Sequence, residues 1–380
     1  MTATTRPTPD APEHRDAALD GLRGIAILSI LVLHYFVYPV VRGDLGVVST
    51  AVRFAGIHLW SGVDLFFVLS GYFIASSLLR TRAGASYYAE FAIRRSFRIL
   101  PLYLVLLATF FAVSFAWAQS PLVAHSYAPL SYATFTQNFF LASSGHYGGD
   151  LMAATWSLAI EVQFYVLVPF LLRRADTRVV IAMSLALAAA SAAARGFFAY
   201  PASYAYPFCR GDALFAGVAI AAASEGPRGV ALRAWIRGHL GRLGALAVCA
   251  YALAAWAAPA PGSVHSHLLF TVAFALAVSC AVACPGGAFA KCLTQRWLMW
   301  LGRGSYGLYL FHYGILSAVF LLANGGEPQL RGLGDAMLVA GALCACIALV
   351  HVLRRAIELP AIDAGHKLAA HARPSQAVAA

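Results

Sequence analysis

LRGIAILSILVLHYFVYPVV, residues 22–41, holds one guanidinium near its start (Arg23) and one imidazole past its middle (His34), and is otherwise apolar, small or aromatic. Its 20 residues make about 30 Å of α-helix, which is the hydrocarbon thickness of a bilayer. Comparable runs recur at about 58–79, 99–118, 152–172, 179–198, 208–224, 243–258, 266–284, 304–323 and 333–353. The chain therefore reads as all-α, a polytopic transmembrane bundle of roughly ten helices. Composition agrees: 61% of the 380 residues are hydrophobic and 11% charged, with mean hydropathy +0.72. A soluble domain carries about 25% charged residues because its surface must be solvated. Here most of the surface faces lipid.

The formal charge of +11 raises the question of nucleic acid, and the placement of the charges answers it. With alternating spans starting inside, 22 of the 27 Lys and Arg fall on one side, leaving Arg42, Arg53, Arg195, Arg210 and Arg331. Cytoplasmic loops retain basic residues because translocating them is disfavoured. The excess is a topological signal with both termini cytoplasmic in a cell (inner) membrane, and nucleic acid is not needed. Residues 1–19, rich in Thr, Pro and Ala and without an apolar h-region, read as a disordered cytoplasmic tail rather than a signal peptide. Residues 20–360 form the membrane domain, and 361–380 read as a second tail. The seven Cys are odd in number, lie mostly in apolar runs and form no CxxC pair. They read as packing residues, so neither a disulfide framework nor a metal site is expected.

Charged groups at membrane depth are costly unless paired or facing a wet cavity, so each is a candidate for function. Arg23 and His34 lie eleven residues apart, about three turns, on one helix face and about 16 Å apart along the axis. Asp64 in GVDLFFVLSG (62–71) enters from the other side to a matching depth, about two turns from the outer surface. A carboxylate there would orient the imidazole of His34 as a general base requires; the plainer reading is a structural pair. In TWSLAIEVQFY (155–165), Ser157, Glu161 and Tyr165 share a face with a carboxylate at its centre, and Ser305, Tyr309 and His312 repeat the pattern in the ninth span. Such stripes can simply hold helices together. Arg210 and Asp212 suit inter-helix salt bridges. The segment RRSFRILP (94–101) places Arg94, Arg95 and Arg98 at the basic side. Three guanidiniums there serve topology, or bind phosphates through bidentate hydrogen bonds. No P-loop, GxSxG, HExxH or HxxxxD occurs, so ATP hydrolysis and soluble hydrolase or acyltransferase chemistry have no support.

These residues fall in an ordered series: DGLRGIAILSILVLH (20–34), GVDLFFVLSGYFI (62–74), RRSFRILPLY (94–103), TWSLAIEVQFY (155–165), RGDALFAG (210–217), GRGSYGLYLFHYGI (302–315) and IELP (357–360). In that series the chain resembles acyltransferase family 3, the integral membrane acyltransferases of O-antigen, peptidoglycan, Nod factors and macrolides. The resemblance runs from Leu19 to Pro360. It implies cytoplasmic acyl-CoA, acetyl-CoA above all, as donor and a hydroxyl of a surface or exported carbohydrate or glycolipid as acceptor. It marks His34 as catalytic, Arg23 as its motif partner, Glu161 as a functional acid, and Arg95 and Arg98, beside Arg94, as the donor-binding pair. Val162 stands where many relatives carry a second acid. On that reading His34 acts as base or briefly carries the acyl group, with Asp64 or Glu161 steadying it. Tyr165, Ser305, Tyr309 and His312 are the substrate-lining candidates. Acylation of a small metabolite such as a macrolide, and a transporter or flippase of acyl or glycan units, are the alternatives. Oligomeric state leaves no signature.

Overall fold

The structure, a computed structural model, describes residues 12–257 and 264–372, and the regular elements among them are all helical. Ten long helices organise it: α1 (Pro12–Val32), α2 (Gly62–Thr81), α3 (Tyr87–Ala116), α4 (Thr155–Leu172), α5 (Thr177–Arg195), α6 (Pro207–Ala223), α7 (Leu240–Ala257), α8 (Val264–Ala283), α9 (Ser305–Asn324) and α10 (Leu333–Leu353). Nine helices among the described residues are long and apolar enough to cross a membrane. The remaining expected span is α6, which has 17 residues, most of them buried. It packs against α2, α5 and α8 and so is covered by other helices along most of its length.

α1 does not stop at Val32. It runs through a π-helical turn, Leu33–Val37, into Tyr38–Gly43. A π turn admits one extra residue into the helix and rotates the turns beyond it, a distortion often found at functional sites. His34 lies within it.

The connections sort onto two faces. On one, Arg303 bonds Asp20 at 3.1 Å, Arg82 donates to the Ala175 carbonyl at 3.2 Å, and Ser86 to that of Ala372 at 2.5 Å. On the other, Arg42 reaches the Pro328 carbonyl at 3.4 Å, Asn138 that of Ala205 at 3.1 Å, and the Leu330 amide that of Pro39 at 2.8 Å. The first face gathers the basic loops. The connection from α3 to α4 lies on the second and is itself built, with short helices at Pro129–Ala133 and Gln137–Ser144. Gln163 donates to the Phe135 carbonyl at 2.7 Å, and Gln137 to that of Thr155 at 3.0 Å, which ties this segment to α4.

Part of each expected tail is helical. Residues 1–11 and 373–380 lie outside the described residues, but Pro12–Leu19 already belong to α1. Leu359–His371 form a helix laid against α3, with Gly365 against Phe97 where a side chain would clash. Its buried positions, Gly365 and Ala369, are too small to make a legible apolar stripe.

Candidate active site

The site consists of two cavities that approach each other inside the bundle. The inner one opens toward the basic face and, with its open mouth included, has a volume of about 830 Å³. Arg23, Arg95, Arg98 and Glu161 line it, with Ser70, Tyr165, Ser305 and Tyr306. The outer one opens toward the opposite face, with about 1310 Å³. His34 and His312 line it, with Arg42, Asp150, Trp60, Trp156 and the tyrosines 38, 147, 200, 204 and 313. Val63 and Tyr309 are the residues common to both linings.

In the outer cavity the two imidazoles form a pair. His312 Nδ1 lies 2.7 Å from the carbonyl of Tyr309, one turn back on α9, and must donate to it. In the neutral ring its Nε2 is then an acceptor. That nitrogen is 3.0 Å from Nδ1 of His34, so His34 donates from Nδ1 and keeps the lone pair on Nε2. Tyr38 and Tyr313 hold the ring edge-on, with centroids 5.4 and 5.3 Å away. Tyr35 donates to the His312 carbonyl at 2.8 Å, fixing the facing turn of α9. The arrangement presents one oriented basic nitrogen to a cavity lined by aromatic rings with polar tips.

The inner cavity is electropositive. Arg95 and Arg98 make no ion pair among the described residues; Arg23 has Asp20 at 3.7 Å and lies over the Phe73 ring at 4.1 Å. Glu161 accepts from Ser70 at 2.5 Å and from Tyr165. Its oxygen is thereby held inside the protein, and the guanidiniums are left for a ligand. Such a site suits phosphates.

Residues 16–354 match the model of a family described as an acyltransferase domain. The chain belongs to that acyltransferase family. Among curated relatives, a Bacillus subtilis protein with the provisional name of peptidoglycan O-acetyltransferase is 28% identical over 334 residues, 82% of this chain and 50% of the relative. A Komagataeibacter xylinus protein named, also provisionally, a membrane-bound transacylase is 31% identical over 165 residues, 41% of this chain and 37% of its own. A Staphylococcus aureus protein provisionally named an O-acetyltransferase is 31% identical over 161 residues, 40% of this chain and 24% of its own. The chain spans half or less of the length of these relatives. No solved structure matches it. The family, the helical fold and the apolar spans make this a multi-pass membrane protein.

Two of the expected site residues are corrected by the geometry. Asp64 does not face His34. It is fully buried against Arg210 at 2.6 Å and His267 at 3.3 Å. Depth along a helix fixes only one coordinate, and the side chain of Asp64 points toward α6 and α8. Arg94 does not line the inner cavity; it pairs with Glu90 one turn back at 3.3 Å. The expected inter-helix bridges of Arg210 and Asp212 do form, the second with Arg195 at 2.7 Å. Tyr165 and Ser305 line the inner cavity, His312 the outer, and Tyr309 both. Sequence reasoning missed five residues. His267 was legible, being an ionisable group at the start of a span. Ser70 beside Glu161, and the aromatic lining supplied by Trp60, Trp156 and Tyr204, gave no local signal.

Proposed function

We propose that the chain is a membrane O-acyltransferase that takes acyl groups from acyl-CoA at the basic, cytoplasmic face and delivers them to a carbohydrate hydroxyl at the other. The observation that carries this is the pairing of an electropositive inner cavity with an outer cavity holding one oriented histidine, the two meeting at Tyr309. Arg95 and Arg98, with Arg23, hold the phosphates of CoA, and the pantetheine arm extends toward the outer cavity. The acceptor hydroxyl gives its proton to Nε2 of His34 as its oxygen attacks the thioester carbonyl. The carbon–sulfur bond then breaks, and the thiolate recovers the proton from the imidazolium. His312 holds the tautomer and spreads the transient charge. An acyl group carried on Nε2 would use the same atom. The acceptor side supports a sugar: Trp60, Trp156 and the tyrosines supply flat apolar faces with polar edges, and Arg42 and Asp150 supply charged hydrogen-bonding groups. Acetyl is the acyl group that the relatives' names favour.

The test is on the donor side. Lys at both Arg95 and Arg98 keeps the topological charge and loses the bidentate fork. Acetyl-CoA should then bind at least about tenfold more weakly, the equivalent of about 1.4 kcal/mol, with insertion and folding unchanged. Unaltered affinity in the purified double variant would leave these arginines as topology signals and remove the donor site.

A further inference from the structure

Tyr309 does two things at once. Its backbone carbonyl receives the Nδ1 proton of His312, at 2.7 Å, and so sets the histidine pair. Its side chain stands between the cavities: apart from Val63 it is the residue common to both linings. The phenol is latched, with its oxygen 2.6 Å from the Ser157 hydroxyl on the facing helix α4. Either hydroxyl can donate in this bond, and Ser157 also lies 3.4 Å from the Ala154 carbonyl one turn back. On the inner side the ring meets Phe66 edge-on, with centroids 5.9 Å apart.

We infer that Tyr309 is the gate between donor and acceptor cavities, closed by its hydrogen bond to Ser157, and that it decides whether an acyl thioester is transferred or hydrolysed. This rests on the donor and acceptor assignment given above. The outer cavity opens toward one face and has room for water. A thioester reaching His34 with water beside it would meet the same base: water loses a proton to Nε2, its oxygen bonds to the carbonyl carbon, the carbon–sulfur bond breaks, and free carboxylic acid and CoA thiol leave. Keeping the water of the outer cavity from the thioester until the arm itself fills the passage is what a gate accomplishes. The pantetheine arm displaces the ring and fills the gap it leaves. The backbone carbonyl stays in the α9 helix when the ring swings, so the histidine pair remains aligned through the motion. One residue thereby opens the path without disturbing the base behind it.

Two measurements test this, one of them independent of any catalysis. The first follows hydrolysis of acetyl-CoA by purified enzyme without acceptor. Tyr309→Ala should raise it at least tenfold over the wild type, while Tyr309→Phe and Ser157→Ala, which keep the plug but lose the latch, should raise it by less. The second places a cysteine at Ser305, on the inner cavity, and measures its reaction with a small membrane-impermeant methanethiosulfonate added from the Arg42 side, resolved by peptide mapping from the native cysteines. Reaction should be at least tenfold faster in the Tyr309→Ala background, and raised in Tyr309→Phe should the alanine variant not fold. Faster labelling without hydrolysis would keep the gate and reject acetyl-CoA as donor. Equal labelling rates in wild type and variants would overturn the gate, whatever the hydrolysis shows.

Discussion

At the scale of single residues, the proposed chemistry turns on which nitrogen of His34 is free. The chain of bonds from the Tyr309 carbonyl through His312 to His34 Nδ1 leaves Nε2 to accept a proton. His34→Gln keeps a hydrogen-bonding group and cannot shuttle a proton. Turnover should fall about 10²–10⁴-fold with acyl-CoA binding intact in folded enzyme; near-normal turnover would make His34 structural. His312→Gln should lower kcat with little change in KM and should move the pH profile of kcat, because the ring that fixes the tautomer is gone. A purely structural His312 would lower the yield of folded protein and leave that profile in place. The eleven-residue spacing of Arg23 and His34 was legible, and the structure puts Arg23 on the inner cavity and His34 on the outer. The partner of His34 was not. Asp64 matched it in depth, but depth carries no information about direction, and the π turn at Leu33–Val37 changes direction where it matters. His312 was visible in the sequence as part of a stripe of three polar residues, for which holding helices together is the commoner role.

At the scale of helices, α6 is the hub that lets two cavities coexist with buried charge. Its Gly217 lies against the Val68 carbonyl of α2, and Gly71 of α2 against the Leu214 carbonyl of α6. Each glycine admits the other helix's backbone, the close packing that membrane bundles rely on in place of a hydrophobic drive. Gly217→Leu should therefore lower the thermal unfolding temperature in detergent sharply, and unchanged melting would show that the helices have room to separate. The same helix carries Arg210 to Asp64 and Asp212 to Arg195, and Thr271 adds a bond to Asp212 at 3.1 Å. Removing one partner of a buried pair leaves an uncompensated charge, at a cost of about 3–5 kcal/mol. Asp64→Asn should accordingly reduce stability while the fraction that stays folded keeps most of its turnover. A fully stable, inactive Asp64→Asn enzyme would return Asp64 to catalysis. The spans themselves were legible because lipid demands long apolar runs. Which helices touch was not, since small residues on a helix face do not say what approaches them.

For the molecule as a whole, orientation decides which cavity can meet the proposed acyl-CoA donor. The charge count assigns 22 of 27 basic residues to one side, and the structure sharpens it. Arg195 and Arg210, two of the five on the other side, are fully buried in ion pairs and carry no topological signal, leaving Arg42, Arg53 and Arg331. Translocating a loop with few basic residues is easy and one with many is not, so the face of Arg82, Arg303 and the start of α3 should be cytoplasmic. The chain carries its own reporter for this. Cys292 is exposed on the helix Ala288–Leu293, in the connection from α8 to α9 on the basic face. In intact cells it should resist a membrane-impermeant maleimide and react once the membrane is permeabilised. A cysteine at Ser143, exposed near the end of Gln137–Ser144 on the opposite face, should react in intact cells. The reversed pattern would turn the inner cavity outward, where acyl-CoA does not reach it. Arg95 and Arg98 would then need an anionic ligand of another kind, and the proposed direction of transfer would fail with the donor site.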